Sequence, residues 1–430
     1  MNKLIPVILL VLFSFKLSAQ KPVPVKPRVL ISTDIGGTDP DDNQSMAHLL
    51  MYNNLFHVEG LVSSPSYGNG TKGEILRMIG LYEKDLPKLQ QHVKNFASPD
   101  ELRAVTKQGR HGAAPYKGYD QPSEGSDWII KCAKKQSDQP LWILVWGGLE
   151  DLAQALHDAP EIRNRIKVYF IGGPNKKWSA NSYAYIAQHF PDLWFIESNS
   201  SYYGFFSSNK VPDSLSNQNY YKNYIREVGY LGKDYKNNHY QGRVKMGDTP
   251  SLLYMMDGDP LDPSRENWGG SYEKFDSSPR IVFNRNTTIA DTLTVYSIVE
   301  FHFKGPKINI PADSACFTMT VQAEIGEQKW DGFYLGKGDY VIRYSPKRTE
   351  KLSYKVTSGI PGFREQKGEF VVDNIWPGKA RVTNYRLGKN WYTDRRDPEL
   401  FDGIYQGGET VRKWRSNILL DWAKRWEWLR

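Results

Sequence analysis

The sequence of 430 residues contains only two cysteines, Cys132 and Cys316, which lie far apart. They lack the spacing of a cysteine-based metal site. One disulfide between them is conceivable in an oxidising compartment, but we interpret the two residues as belonging to different domains. We therefore expect two unpaired, unreactive thiols.

The sequence also lacks any long apolar run after its N-terminus, so it predicts no membrane-spanning helix. The N-terminal stretch MNKLIPVILLVLFSFKLSAQ has a basic Lys3, a short apolar core and small residues at Ser18 and Ala19. This pattern is typical of a secretory signal peptide covering residues 1–19. We therefore expect a periplasmic or secreted protein.

Blocks of like charge, internal repeats and low-complexity segments are missing as well. The formal net charge is +8, but the lysines and arginines are scattered along the chain. Scattered basic residues do not indicate binding to a nucleic acid polymer. Aromatic residues, in contrast, are plentiful, with 13 Trp and 26 Tyr. Such rings often line sugar-binding surfaces, although core packing is their commoner use.

From residue 28 onward, short apolar segments alternate with helical patterns. The strand-like segments are RVLIST (28–33), VEGLVSS (58–64), LWILVW (141–146), IKVYFIGG (166–173) and LWFIES (193–198). This alternation predicts an α/β domain over residues 20–275, with a mainly parallel sheet flanked by helices. Ligands of such sheets bind beyond the carboxyl ends of the strands. We therefore expect the loops after Thr33, Ser64, Trp146 and Phe170 to share one site.

Further along the chain the pattern changes twice. From residue 280 to about 372, short β-type segments are separated by turn residues, which predicts an all-β sandwich. Residues 410–429 return to helical spacing, with Trp414, Trp422 and Trp426 near one face. The tryptophans on this face need a surface of the protein that buries them. The β segments already have strands to form their own core. We therefore expect the last helix to pack on the α/β domain.

The stretch STDIGGTDPDDNQSMAHLL, residues 32–50, crowds four aspartates at the end of the first strand: Asp34, Asp39, Asp41 and Asp42. Like charges this close raise one another's pKa unless a cation neutralises them. An EF-hand loop starting at Asp39 is excluded, because its sixth position is Gln44 and its twelfth is Leu50. A solvated acidic turn at a helix N-terminus is the alternative to a metal site.

The same stretch, in DIGGTDPDD, resembles the N-terminal aspartate cluster of the nucleoside hydrolases. The segments GLVSSPSYGNG, LVWGGLEDLAQAL, FIGG followed by NSY, and MGDTPSLLYMM resemble further motifs of that family, in the family's order. The segments GDTPS and WGGSYE resemble more closely a divergent, secreted, nucleoside-hydrolase-like branch known from proteins described as cellulose-binding.

The later part of the chain carries two further resemblances. Residues 295–372 resemble a β-sandwich domain of unknown function (DUF5060) that is found beside glycosidase domains. The closing helix resembles the end of the nucleoside-hydrolase-like domain itself. The sandwich, residues 276–400, is therefore expected to be an insertion, and residues 401–430 are expected to return to the α/β domain. Three roles for the sandwich stay open: binding a polymer, capping the site and acting as a spacer.

The resemblance to nucleoside hydrolases implies a Ca²⁺ ion held by aspartates and one backbone carbonyl. Its metal ligands here would be Asp34, Asp42, Asp248 and, through its backbone oxygen, Glu150. Asp34 would also be the catalytic general base. Asp41 would accept a sugar hydroxyl, and Asn69 and Asn181 would be further sugar contacts. This chemistry is coherent, because hard oxygen ligands suit Ca²⁺ and the metal acidifies a bound water so that a carboxylate can take its proton.

Two departures from the family pattern affect these assignments. The acidic loop is two residues longer than usual, so Asp39 competes with Asp41 for the sugar contact. Gly247 precedes the distal aspartate, where many members have a histidine that protonates the leaving group. Catalytic candidates for handling that group are His111, or stacking by Trp178 or Trp268. A surface histidine and a packing tryptophan are the structural alternatives.

Together, these observations favour a secreted Ca²⁺-dependent glycoside hydrolase acting on an N-glycoside or a related sugar conjugate. The ligand would be a sugar-containing small molecule or a polysaccharide. The alternative is a catalytically weak carbohydrate-binding protein that keeps the fold and the metal. We favour the enzyme, because every implied metal position is intact. The sugar, the leaving group and the oligomeric state are not specified by the sequence.

Overall fold

The computed structural model of the chain describes residues 26–37, 41–235, 242–323 and 326–430. The expected signal peptide and Asp39 therefore lie outside the described residues. Strands and helices alternate up to residue 274. They are β1 (Arg28–Thr33), α1 (Asp41–Tyr52), β2 (His57–Ser63), α2 (Lys72–His92), α3 (Pro99–Ala104), β3 (Thr106–Gln108), α4 (Glu124–Lys134), β4 (Leu141–Val145), α5 (Glu150–Asp158), β5 (Ile166–Ile171), α6 (Gly173–Trp178), α7 (Ala180–His189), β6 (Trp194–Ser198), α8 (Asn217–Tyr220), α9 (Gly229–Asp234), α10 (Thr249–Tyr254) and β7 (Tyr272–Lys274).

The remaining elements are mostly strands. They are β8 (Ser277–Ser278), β9 (Arg280–Phe283), β10 (Thr292–Thr294), β11 (Ile298–Lys304), β12 (Ser314–Ala323), β13 (Gly326–Gly336), β14 (Asp339–Tyr344), β15 (Glu350–Thr357), β16 (Gln366–Asp373), β17 (Tyr385–Arg386), β18 (Trp391–Asp394), α11 (Glu409–Arg412) and α12 (Arg415–Glu427). Short 3₁₀ turns lie at Asn53–Leu55, Pro160–Asn164, Ser201–Phe205, Asp213–Leu215 and Pro398–Leu400, and a π turn lies at Tyr221–Ile225.

The first sheet has the order β3-β2-β1-β4-β5-β6-β18-β7. Every neighbouring pair is parallel except β18 and β7, which are antiparallel. Strands β1 and β4 are buried along their whole length, as expected for parallel strands covered on both faces. The predicted α/β architecture with a mainly parallel sheet is therefore confirmed.

The second sheet forms a separate all-β domain, as predicted. Its eight strands hydrogen bond in the single order β10-β16-β15-β12-β13-β14-β11-β9, so they make one continuous, barrel-like sheet rather than two separate sheets. Strands β12 and β15 alternate buried and accessible residues, the pattern of a sheet with one face against a core. We call this part the β domain.

The chain then returns to the first sheet. Strand β18 pairs with β6, so one strand within the predicted insertion of residues 276–400 belongs to the α/β sheet. The four residues of this strand are too few for their pattern to identify a sheet. Helix α12 follows, and Ile418, Leu419, Trp422 and Trp426 are buried in one core with residues of β1, α1 and α2.

Two further expectations concern the cysteines and the presence of membrane-spanning helices. Both cysteines are free, Cys132 buried and Cys316 partly buried. Within the described ranges, each helix is too short or too polar to cross a lipid bilayer.

Candidate metal and active site

A pocket of about 100 Å³ opens at the carboxyl edge of the parallel sheet. The loops after β1, β4 and β5 meet there, as predicted, and the loop after β6 joins them. Its lining residues are Asp34, Asp41, Asp42, Trp146, Ile171, Pro174, Asn175, Tyr202, Tyr203, Phe206, Lys245, Gly247 and Asp248. We call this the carboxylate pocket. The loop after Ser64, which was expected at the same site, contributes none of the described lining residues.

Three aspartates concentrate negative charge in this pocket. Asp41, Asp42 and Asp248 each offer a carboxylate oxygen, and these oxygens all lie within 4.8 Å of one another. The three residues are 7%, 3% and 4% exposed. Oδ2 of Asp248 is buried and has no hydrogen-bond partner among the described residues. A buried carboxylate oxygen without a partner is costly, which indicates that a cation belongs beside it.

The charge balance leads to the same conclusion. Burial raises the pKa of Asp248 well above its ordinary value, and the negative charges of Asp42, Asp41 and Asp34 raise it further. Lys245 opposes this effect only in part. The donor set consists of hard oxygen atoms, which suits Ca²⁺ or Mg²⁺ rather than a soft metal. The residues present therefore fit a divalent cation.

Local hydrogen bonds hold the carboxylate of Asp42 in place. The hydroxyl of Thr33, the last residue of β1, donates to Oδ1 of Asp42 in the first turn of α1. The same hydroxyl oxygen accepts from the backbone N–H of Ile35 at 3.1 Å. Asp34, which follows Thr33, also lines the pocket. Because residue 147 is a glycine, the loop after β4 can approach Asp34 closely. A Cβ atom at Gly147 would lie 2.8 Å from Cβ of Asp34.

Gly247 and Lys245, in the segment before Asp248, orient the carboxylate of Asp41. Its Oδ2 accepts from the backbone N–H of Gly247 at 3.1 Å and lies 3.1 Å from Nζ of Lys245. A Cβ atom at Gly247 would lie 2.3 Å from that same oxygen. The position before Asp248 therefore has no room for a histidine while Asp41 keeps this orientation.

The sequence reasoning missed the aromatic side of the pocket. Tyr202, Tyr203 and Phe206 follow β6 and line it, and the ring of Tyr203 stacks on Tyr405 with centroids 4.4 Å apart. Asp394, at the end of β18, accepts hydrogen bonds from the backbone N–H groups of residues 199, 200 and 201 at 2.9 to 3.0 Å. The C-terminal return of the chain thus holds this loop. The only signal in the sequence was the run of aromatic residues after a buried strand.

Glu150 lies at the start of α5, beside the pocket rather than in its lining. Its side chain is 2% exposed and accepts from the hydroxyls of Ser66, at 2.5 Å, and Ser179, at 2.8 Å. Burial raises the pKa of Glu150 to about 6, although both serine bonds favour the charged form. The side chain therefore ties the loop after β2 to the start of α7. The assignment of its backbone oxygen to a metal stays a prediction.

The predicted sugar contacts occupy different surroundings. Asn69 is exposed in the loop after β2. Asn181, in α7, donates to the backbone oxygen of Ala114 at 3.0 Å, and its Oδ1 is buried without a hydrogen-bond partner in the described part of the chain. Trp178 ends α6, the helix whose first turn brings Pro174 and Asn175 into the pocket.

The two remaining candidates lie away from the lining. His111 is exposed in the loop after β3. Trp268 is partly buried and packs against the core of the α/β domain. Neither residue lines the carboxylate pocket, so their roles in handling a leaving group stay predictions.

Comparisons with known proteins agree with this description of the fold. The family model described as cellulose-binding Sde182, nucleoside hydrolase-like domain, matches residues 28–272, and that of the domain of unknown function DUF5060 matches residues 292–359. Among curated proteins, nothing matches the chain.

Two solved structures illustrate the structural likeness. A nucleoside hydrolase-related hypothetical protein from Saccharophagus degradans, described as associated with carbohydrate metabolism, is 17% identical with a TM-score of 0.50, covering 81% of this chain and 100% of its own. An inosine-uridine preferring nucleoside hydrolase from Bacillus anthracis is 16% identical with a TM-score of 0.35, covering 59% of this chain and 86% of its own. At 17% identity, the match to the Saccharophagus degradans protein bears on the fold alone.

Proposed function

This chain belongs to the Sde182 nucleoside hydrolase-like family, and on that premise we propose that it is a Ca²⁺-dependent hydrolase of a glycosidic bond. The observation that carries the proposal is the convergence of buried carboxylates on one pocket, with one oxygen of Asp248 left unpartnered. Buried carboxylates this close together repel one another, and a bound cation would offset the repulsion that Lys245 leaves uncompensated.

The family resemblance implies Asp34, Asp42 and Asp248 as ligands of the cation, with the backbone oxygen of Glu150 as a further one. In the structure, the carboxylate oxygens that lie within 4.8 Å of one another belong to Asp41, Asp42 and Asp248, whereas Asp34 lines the same pocket. A bound Ca²⁺ would supply a fixed positive charge that acidifies a water molecule in the pocket. Asp34 is the proposed base that takes the proton from this water. It is the one of the four pocket aspartates that is only partly buried, and it precedes the glycines Gly36 and Gly37.

Hydrolysis requires that water add across the bond between the anomeric carbon and the leaving atom. The oxygen of the water bonds to the anomeric carbon, one proton goes to Asp34, and the bonding electrons leave with the departing group. Asp41, whose carboxylate contacts Gly247 and Lys245, is the proposed acceptor of a hydrogen bond from a sugar hydroxyl. The rings of Tyr203 and Phe206 also line the pocket and would supply an apolar surface for the sugar.

The departing group also needs a proton or an environment that tolerates its charge. His111 is the sequence-based candidate for this role, and stacking by Trp178 or Trp268 is the other. Trp178 ends the helix that contributes Pro174 and Asn175 to the pocket, but its ring is already stacked on Tyr67 and Trp330.

The second candidate function is a carbohydrate-binding protein with weak or no catalysis. One observation favours it: the ammonium group of Lys245 already lies 3.1 Å from Asp41 and neutralises part of the charge that a metal would neutralise. The family description itself names cellulose binding, which we transfer to this chain only as a proposal. Secretion through the predicted N-terminal signal agrees with an extracellular polysaccharide as ligand.

The two candidates are separated by one assay on the purified full chain. Ribonucleosides and plant or host glycans are incubated with the protein in Ca²⁺, in EDTA, and in EDTA followed by excess Ca²⁺. The hydrolase proposal expects release of sugar in the first and third conditions and none in the second. Release that persists at the same rate in EDTA would exclude the proposed chemistry, and glycan binding without any release would favour the binding protein.

A further inference from the structure

A ladder of three aromatic rings lies beside the carboxylate pocket. Tyr67, in the loop after β2, stacks on Trp178 with ring centroids 3.9 Å apart and an interplanar angle of 11°. Trp178 stacks in turn on Trp330, with centroids 5.4 Å apart and the same angle. The first two rings belong to the α/β domain, whereas Trp330 lies in β13 of the β domain. We call these three residues the aromatic platform.

The outer end of the platform faces solvent. Tyr67 is 48% exposed, although burying a ring of this size would stabilise the fold. Its neighbours Gly68 and Asn69 are exposed too, and Gly68 has φ +85°, which suits glycine. The loop therefore holds one ring face and one side-chain amide at the surface. An apolar face beside a hydrogen-bonding group is the combination that a pyranose ring requires.

The inner end of the platform is fixed by the β domain. The ring of Trp330 meets Tyr344 edge-on, with centroids 5.0 Å apart. The ammonium group of Lys177 lies 5.3 Å from the ring of Trp178 and 5.0 Å from that of Trp330, and it donates to Oε1 of Gln328. These contacts join α6 to β13. They set the tilt of the stack, and through it the orientation of Tyr67.

The platform is physically continuous with the carboxylate pocket. Helix α6 contributes Pro174 and Asn175 to the pocket and ends at Trp178. The loop that carries Tyr67 packs on the backbone after β1, since a Cβ atom at Gly70 would lie 2.7 Å from the carbonyl oxygen of Asp34. One helix and one loop therefore connect the pocket and the platform.

We propose that the exposed ring of Tyr67, supported by Trp178 and Trp330, binds a pyranose unit of an oligosaccharide whose neighbouring unit occupies the carboxylate pocket. The β domain then supports the binding surface, because it supplies the third ring of the stack. The inference deepens the proposed function and rests on it, since it makes the ligand a glycan of at least two units. Asn69 is the polar partner of the platform.

The test is a calorimetric titration of the full chain in Ca²⁺ with two probes, cellohexaose as a neutral glycan and hexagalacturonate as an acidic one. Tyr67→Ala and Trp330→Leu are expected to weaken binding roughly tenfold, the scale of one lost aromatic contact. Trp330→Phe keeps a ring and is expected to retain most of the affinity. It therefore separates loss of the platform from misfolding of the β domain.

Matched controls are available in the same chain. Tyr230 is 46% exposed and lies in α9, outside the platform, so Tyr230→Ala removes an equally accessible ring. Trp128 is partly buried in α4, where its Nε1 donates to the backbone oxygen of Glu59 at 2.8 Å, and Trp128→Leu matches the tryptophan substitution. Neither control is expected to change the affinity for either probe.

Binding of either probe with this pattern supports the inference and shows whether the glycan is neutral or acidic. It is overturned if the wild type binds neither probe, or if Tyr67→Ala and Trp330→Leu bind as tightly as the two controls. The titration reports binding rather than turnover, and sugar release is followed in parallel. Loss of the proposed hydrolysis with intact platform binding is therefore distinguishable from loss of the platform with intact hydrolysis.

Discussion

The backbone N–H of Gly247 donates a hydrogen bond of 3.1 Å to Oδ2 of Asp41, and both residues line the carboxylate pocket. A Cβ atom at Gly247 would lie 2.3 Å from that oxygen, closer than Cβ atoms approach in proteins. This contact gives a physical reason for the missing histidine. Position 247 has no room for a histidine side chain while Asp41 keeps this orientation.

Gly247→Ala is therefore expected to push the carboxylate of Asp41 out of position. The clash should cost about 1–3 kcal/mol of unfolding free energy and weaken Ca²⁺ binding. Chemical denaturation and Ca²⁺ titration measure the two effects. The control is Gly80→Ala in α2, where an added Cβ atom meets nothing within 4 Å. Equal stability and Ca²⁺ affinity in the two variants would mean that Asp41 moves freely.

Asp42→Asn tests the cation site itself. The substitution removes one negative charge from three carboxylates whose oxygens lie within 4.8 Å, so a cation loses part of its attraction. We expect Ca²⁺ affinity to fall roughly tenfold to a hundredfold, measured by titration calorimetry. The matched control is Asp127→Asn, at an exposed position of α4. An unchanged affinity in Asp42→Asn would place the ion elsewhere.

The pH dependence of stability has a separate origin in Glu150. Burial raises the pKa of this carboxyl from 4.5 to about 6, so the folded state holds its proton more tightly than the unfolded chain does. Its contribution to stability is then fully present below pH 4.5 and is lost as the pH rises through 6.

Glu150→Gln removes that dependence while keeping the shape of the protonated group. Relative to this variant, the wild type is expected to lose about 2 kcal/mol of unfolding free energy between pH 4 and pH 7. Urea denaturation of both proteins at several pH values measures the difference. Parallel curves for the two proteins would show that Glu150 has an ordinary pKa in the folded state.

A substitution in the last helix, α12, tests whether this helix contributes to the core of the α/β domain. Trp422 is 1% exposed, and its ring lies 5.1 Å from that of His48 in α1. Trp422→Ala should cost about 3–5 kcal/mol of unfolding free energy, because it leaves a large cavity in the shared core. Leu420 is 50% exposed on the same helix, so Leu420→Ala is the control. A similar small effect in both would mean that α12 adds little to that core.

Much of this architecture follows from local sequence patterns. Buried strands such as β1 and β4 are continuous apolar runs, and the topology of a parallel sheet brings the loops that follow them together. The spacing of Trp422 and Trp426 likewise predicts a helix with one buried face. These features depend on neighbours along the chain, which is why the sequence alone is sufficient to infer them.

The remaining features depend on contacts between distant residues. Strand β18 has four residues, and only its pairing with β6 assigns it to the first sheet. The stack of Trp178 on Trp330 joins two domains, and nothing near either residue in the sequence predicts the other. Likewise, nothing near Lys245 or Asp41 in the sequence predicts that their side chains lie together. Family resemblance supplied the distal Asp248, which no local pattern would have linked to Asp42.

The most direct test of the proposed function compares wild type with Asp34→Asn in one turnover assay at saturating Ca²⁺. Asparagine keeps an oxygen for the cation but cannot take a proton from water. On the substrate identified by the glycan and nucleoside screen, the rate constant is expected to fall roughly 10²–10⁴-fold while the variant still binds Ca²⁺ and melts at the wild-type temperature. Turnover at the wild-type rate by a folded, Ca²⁺-loaded Asp34→Asn protein would contradict the account, because another group would then be the base.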